Sequence, residues 1–270
     1  RSLGGRRITL SWLFSLYETY ENNQELRLAP EKPLLPICHT TQQAHIEVVI
    51  SGRGEFLRAS VVPREDNTTL IPCTESSSSR SGIKPQNHPL CDKLQYLAGD
   101  YTKYGGVVTK GFAKEPTEPY LSYLSDLKEW AESTYGHPKL RAVLRYVEKG
   151  TLMEDLIHYA ILPVDSSGRV PSEWTSREDM PRIFSVLPGT QAPYDAFVRW
   201  VVEEEGVLET KVWRDQELIQ SWINYYISRI TERDICYVTG DEVAIATSHP
   251  AKIRNDGDKA KLISSNDNSG

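Results

Sequence analysis

The sequence predicts an α+β fold with mixed antiparallel sheets and several helices. Two kinds of segment lead there. Apolar residues recur at helical spacing in several stretches, and β-branched runs flank glycine turns. These segments follow one another without the regular strand–helix–strand alternation of a doubly wound sheet.

Leu10, Leu13, Phe14 and Tyr17 fall at i, i+3, i+4, i+7 and predict a helix over residues 8–22. Pro30, Pro33 and Pro36 make the next stretch a loop. His45–Ile50 and Glu55–Val62 flank Ser51-Gly-Arg-Gly54 and read as a β-hairpin. Residues 74–82 form a serine-rich, low-complexity loop. A helix is expected from Pro89 through Leu90, Leu94 and Leu97. Leu121, Leu124, Leu127 and Ala131 define another, and Leu140, Val143, Leu144 and Val147 a third. Residues 155–163 fit helix or strand. Residues 182–187, 195–203 and 207–213 are predicted strands. Leu218, Ile219, Trp222, Ile223, Tyr226, Ile227 and Ile230 give the clearest helix, and 235–238 and 242–246 close as short strands.

The chain has 270 residues, 39% hydrophobic and 25% charged, which suits a globular protein and not a disordered one. No apolar run reaches the ~20 residues of a membrane span. Cys38, Cys73, Cys91 and Cys236 are scattered with no CxxC pair. This favours reduced thiols in a cytoplasmic protein over a disulfide framework or a zinc site. Residues 1–7 read as an expression scar, with 8–270 as one domain. The end at Asn266–Gly270, directly after a strongly patterned segment, suggests a truncated chain.

Catalytic motifs are sparse. There is no P-loop, GxGxxG, GxSxG or HExxH. His137, His158 and His249 have no neighbours at ligand spacing, so neither a metal nor another cofactor is expected. One enzymatic pattern survives: Glu209-Thr-Lys211 on a predicted strand, with Asp195 on the strand before it. Metal-dependent nucleases pair two carboxylates with such a lysine. The plainer reading is a solvent-facing Glu/Lys pair alternating with Leu208 and Val212.

Charge is uneven. The net charge is −6, yet residues 75–114 carry six cations against three carboxylates, and 249–262 carry four against two. Residues 115–135 hold five carboxylates against one lysine, and 201–220 six against two cations. Within the first basic island, Arg80, Lys84, Gln86 and Asn87 lie beside Gly82. Cations suit phosphates, an amide suits a base edge, and glycine admits close approach. On composition alone, Gln86 and Asn87 read better as caps for the helix after them.

The ordered set of motifs resembles the large subunit of the type I-C CRISPR surveillance complex (Cascade), in its amino-terminal portion. The resemblance rests on the apolar helix ending in Tyr17, on Arg80-Ser-Gly-Ile83, and on Leu90-Cys-Asp92 with Tyr96. It continues through Ala196–Trp200, Val212-Trp213 and the Leu218/Trp222 helix. It closes on Cys236-Tyr-Val-Thr-Gly240, His249-Pro-Ala-Lys-Ile253 and Lys259–Asp267. Two departures stand out. The 84–89 stretch is a residue or two longer than the family loop, so either Gln86 or Asn87 is the base-reading amide. The helical carboxy-terminal half of the family is absent.

The resemblance implies a non-catalytic subunit for antiviral defence. It would recognise the protospacer-adjacent motif in duplex DNA and help start strand separation, while guide pairing supplies the long specificity. The implied DNA contacts are Arg80, Ser81, Gly82, Lys84, Gln86 and Asn87. Lys252, Arg254, Lys259 and Lys261 form a second nucleic-acid or partner contact. The implied partners are the subunit holding the 5′ end of the guide RNA, the backbone subunits, the guide RNA, target double-stranded DNA and a recruited helicase–nuclease. No membrane is involved. The alternative is a metal-dependent nuclease using Asp195, Glu209 and Lys211.

Overall fold

A computed structural model describes residues 12–25, 35–78, 86–108, 115–189 and 191–246. The elements run α1 (Trp12–Glu25), β1 (His39–Gln43), β2 (Ile46–Ser51), β3 (Phe56–Val61), β4 (Thr68–Pro72), α2 (Glu75–Ser78), α3 (Leu94–Leu97) and α4 (Glu118–Glu132). They continue with α5 (Pro138–Val147), α6 (Leu152–His158), α7 (Arg182–Val186), β5 (Val198–Glu203), α8 (Gln216–Arg229), β6 (Arg233–Ile235) and β7 (Glu242–Ala244). Helices and antiparallel and mixed sheets combine as the sequence predicts, so the fold is α+β. No helix of the described residues is long and apolar enough to cross a membrane.

The predicted hairpin forms as β2 and β3, in register Ile46↔Val61 to Ile50↔Phe56. Gly54 has φ +78°, and a Cβ there would lie 2.7 Å from the Ala142 carbonyl oxygen. Only glycine lets this turn press so closely on α5. β2 also pairs in parallel with β5, Ile46↔Val198 to Ser51↔Glu203, which makes it the middle strand of three. Both faces of β5 are covered, so Val198, Trp200 and Val202 are buried, and so are Arg199 and Val201. A strand covered on both faces loses the polar alternation of a half-exposed one.

α5 covers one face with Leu140, Val143, Leu144 and Val147. Tyr146 meets Trp200 edge-on at 5.7 Å. On β5, Arg199 pairs with Glu47 at 2.8 Å, donates to the Asp66 carbonyl at 2.7 Å and lies 4.2 Å from the Trp213 ring. α4 and α8 meet through Trp130 and Trp222, whose rings are 4.9 Å apart. The Trp130 indole N–H donates to Ser221 Oγ. Lys139 is buried at the start of α5. Its ammonium pairs with Asp215 and donates to the Glu209 carbonyl.

Several expectations need correction. Residues 182–187 are not a strand. Pro181, with φ −59°, starts a single helical turn, α7, and Pro188 follows its end. Residues 207–213 are not a strand either. Gly206 turns the chain at φ +81°, and contact with β5 shrinks to the bridge Val201↔Lys211 and the bonds around it. The helix expected from Pro89 is only the turn α3. The Leu94 N–H donates to the Ala196 carbonyl and not back along its own segment. The ambiguous 155–163 stretch is helical at its start, as α6. The β1–β4 ribbon was not predicted, because His39-Thr-Thr-Gln-Gln43 shows no apolar alternation. The first helix begins at Trp12 within the described residues.

His45 sets the entry to β2. Its Nδ1 accepts from the Phe197 N–H at 3.0 Å, while the Phe197 carbonyl accepts from the N–H groups of His45 and Ile46. Burial, helped by nearby Lys93, lowers its pKa to about 4. The unfolded chain therefore binds a proton below about pH 6.5 that the fold refuses down to about pH 4. Stability is full above that window and falls as pH drops through it, by up to ~1.4 kcal/mol per pH unit. His45→Gln keeps an acceptor without the titration. Urea unfolding across this pH range should show a flatter profile in the variant, and an unaltered slope would place the titration elsewhere.

Candidate nucleic-acid interface

The loop that carries the predicted DNA contacts is held at both of its feet. Before it, Thr74 and Ser77 exchange bonds. The Ser77 N–H donates to Thr74 Oγ1 at 3.0 Å, and the Thr74 N–H donates to Ser77 Oγ at 2.9 Å. This is capping-box geometry with a serine in place of the acid. The Glu75 N–H donates to the Tyr226 hydroxyl. After the loop, buried His88 places Nδ1 3.1 Å from Ser77 Oγ. Ser77 thus ties the segment that ends at Ser78 to the one that begins at Gln86.

The returning stem is anchored more deeply. Asp92, fully buried, accepts from the N–H groups of His88 and Lys93, each at 2.6 Å. The Asp92 carbonyl accepts from the Val198 N–H at 2.8 Å, which joins this stem to β5. The Leu90 carbonyl accepts from the Tyr123 hydroxyl at 2.7 Å and the Trp200 indole at 3.0 Å. Burial holds the Tyr123 phenol protonated, its pKa pushed well above the usual value, so it remains a donor.

The two amides differ. Asn87 is buried at 3% exposure; its Nδ2 donates to Asp126 at 2.9 Å, and its Oδ1 accepts from the Ser122 hydroxyl at 3.3 Å. Both ends of that amide are spent on α4. Gln86 is half-buried, and its backbone N–H donates to the Tyr96 hydroxyl at 3.3 Å. Its side-chain amide has no bond among the described residues. Partial burial raises the Asp126 pKa, and the bond from Asn87 opposes that rise. Arg80, Ser81, Gly82 and Lys84 lie outside the described residues, as do Lys252, Arg254, Lys259 and Lys261.

The residues of the nuclease pattern sit in different settings. Asp195 ends a 3₁₀ turn and is half-buried; burial raises its pKa against the pull of Lys93. Glu209 is exposed on an irregular segment, and its carboxylate accepts from the Lys211 N–H at 2.9 Å. The Lys211 ammonium lies 5.7 Å from the Trp213 ring. Among the described residues, no group of three or more His, Cys, Asp or Glu could hold a metal ion. His137 caps α5, its Nδ1 accepting from the Lys139 N–H at 3.3 Å, and His158 ends α6; His249 lies outside the described residues. Burial pushes the Cys38 thiol up to about 11 and that of Cys91 to about 12, so neither is a thiolate at neutral pH.

The family profile of a CRISPR-associated protein, Cas_Csd1, matches residues 16–270. The chain belongs to this family. No individually curated protein matches it. Among Cas_Csd1 residues, the clasp formed by Ser77 and His88 and the anchors Tyr123 and Asp126 escaped sequence reasoning. The Thr74-x-x-Ser77 spacing was the available signal, and the surrounding serines concealed it.

Anchor and reader separate by experiment. Asn87→Ala strips the donor from a partly covered carboxylate and should cost about 1–3 kcal/mol in chemical unfolding. Gln86→Ala should stay within about 0.5 kcal/mol of the parent. Equal stability losses in the two variants would contradict this division.

Proposed function

We propose that this Cas_Csd1 chain is the amino-terminal part of a type I-C large subunit. In this reading it is a non-catalytic module that recognises the protospacer-adjacent motif in duplex DNA and helps begin strand separation. One observation carries the reading: the segments on either side of the cation- and glycine-bearing residues 79–85 are fixed to each other through Ser77 and His88, with the Gln86 amide unspent among the described residues. Fixing the feet beforehand lowers the ordering cost of binding. Gln86 is the better candidate for the base reader, because the Asn87 amide is committed to Asp126 and Ser122. Arg80 and Lys84 contact phosphates, and Ser81 and Gly82 admit the loop to a groove. Lys252, Arg254, Lys259 and Lys261 supply a second contact. The guide RNA and the subunits around it provide most of the grip, which suits a chain of net charge −6. The module works beside the subunit that holds the guide's 5′ end and helps recruit the helicase–nuclease.

In the assembled complex, Gln86→Ala should lose about 1–3 kcal/mol of discrimination at one base pair of the motif. Lys84→Ala should weaken binding to all sequences alike and lower the salt slope by about 1. Unaltered motif preference in Gln86→Ala removes the base-reading role. Incubation of the chain with DNA and Mg²⁺ or Mn²⁺ should leave the DNA intact. Cleavage that disappears in Glu209→Ala would replace the whole reading with the nuclease.

A further inference from the structure

α5 and the turn that follows it carry an outward row of cations, with the tip of the β2–β3 hairpin beside it. Arg141, Arg145 and Lys149 are exposed and spaced at i, i+4 and i+8. Arg141 and Arg145 lie one turn apart on α5, about 6 Å along its axis, and Lys149 continues the row in the turn after Val147. Arg53, also exposed, sits in the hairpin turn that packs on α5 through Gly54. Arg145 donates through Nε to the Arg53 carbonyl at 3.2 Å and through its terminal nitrogen to the Gly52 carbonyl. The Lys149 ammonium donates to the Gly54 carbonyl at 2.6 Å.

These acceptors are neutral, so the bonds fix the cations without cancelling their charge. Elsewhere on the surface Arg58 pairs with Glu203, Lys103 with Glu154 and Arg229 with Glu129. None of the four cations here forms an ion pair among the described residues. Glu55 and Glu148 are their neighbours in sequence and Glu204 packs against Gly52, yet none of the three pairs with them. The helix dipole and the turn carbonyls account for Arg145 and Lys149 near the end of α5. Neither accounts for Arg53 or Arg141.

We infer that Arg53, Arg141, Arg145 and Lys149 form a sequence-independent seat for a nucleic-acid phosphodiester backbone. The inference deepens the proposed function and rests on it for the class of partner. One strand presents a phosphate about every 3.4 Å of duplex axis and winds as it rises, so the row meets about two or three phosphates. The surface reads no bases. Its contribution is grip, and grip of this kind weakens with salt.

The test uses the full chain with Arg53→Gln and Arg141→Gln combined. Neither side chain donates to a carbonyl among the described residues, so the melting temperature should match the parent. Binding to a fluorescein-labelled DNA duplex of arbitrary sequence, and separately to a labelled single-stranded RNA, is followed from about 20 to 200 mM salt. Loss of two phosphate contacts should reduce the slope of log K against log salt by about 2 on DNA, or by slightly less on RNA. A change in the DNA arm assigns the seat to the target, and a change in the RNA arm to the guide. Unaltered slopes in both arms overturn the inference, as does a parent that binds neither polymer at the lowest salt. A double variant that binds both polymers normally but no longer associates with other subunits would make this a protein contact and overturn it equally. A lowered slope with Gln86→Ala motif preference intact removes the base reader and leaves the seat. The opposite pair of results removes the seat and leaves the reader.

Discussion

The Leu90 carbonyl is the point on which the architecture turns. It is a single acceptor, buried, and claimed by two aromatic donors, Tyr123 on α4 and Trp200 on β5. A buried acceptor left unmade costs about 1–3 kcal/mol, so both donors are held where they are. Two residues further on, the Asp92 carboxylate satisfies two backbone N–H groups, and its carbonyl extends the edge of β5. Helix, strand and loop foot therefore share one short segment. Anything that displaces Leu90 to Asp92 moves all three.

The long periodic helices were legible in the sequence, because α4, α5 and α8 bury one stripe each and their spacing records it. The β2–β3 hairpin was legible from its glycine turn. What escaped was decided by tertiary partners. Residues 182–187 have a strand's composition, yet prolines on either side confine them to a turn. Residues 207–213 alternate correctly but follow a turn at Gly206 that lets them meet β5 at one bridge only. β1 is polar, so the β1–β4 ribbon was invisible to a search for apolar alternation. At the candidate site, charge and glycine content marked the loop, but composition could not separate Gln86 from Asn87. That distinction lies in Asp126 and Ser122, more than thirty residues away in the chain.

Ionic groups in the interior serve geometry. Lys139 with Asp215 joins the start of α5 to the start of α8, and Arg199 with Glu47 ties β5 to β2. Buried pairs of this kind add little net stability against apolar replacements, but losing one partner is costly. The exposed cations of α5 and the hairpin turn are the reverse case. Arg145 and Lys149 are held by neutral carbonyls, and none of the row is paired with a carboxylate among the described residues. An acidic chain with such a surface keeps its partners selective: like charge repels a polyanion over most of the molecule, and approach is favoured at few places.

The parallel pairing of β2 with β5 has a consequence for biosynthesis. β2 and β3 emerge from the ribosome together and close locally, but β5 is encoded beyond the entire helical middle of the chain. At about 5–20 residues per second, the open edge of β2 waits on the order of ten seconds for its partner. That edge bears Val48, Val49 and Ile50, a run apt to pair with strands of other nascent chains. Productive folding thus depends on the wait being protected, either by early docking of α5 across the hairpin or by a chaperone.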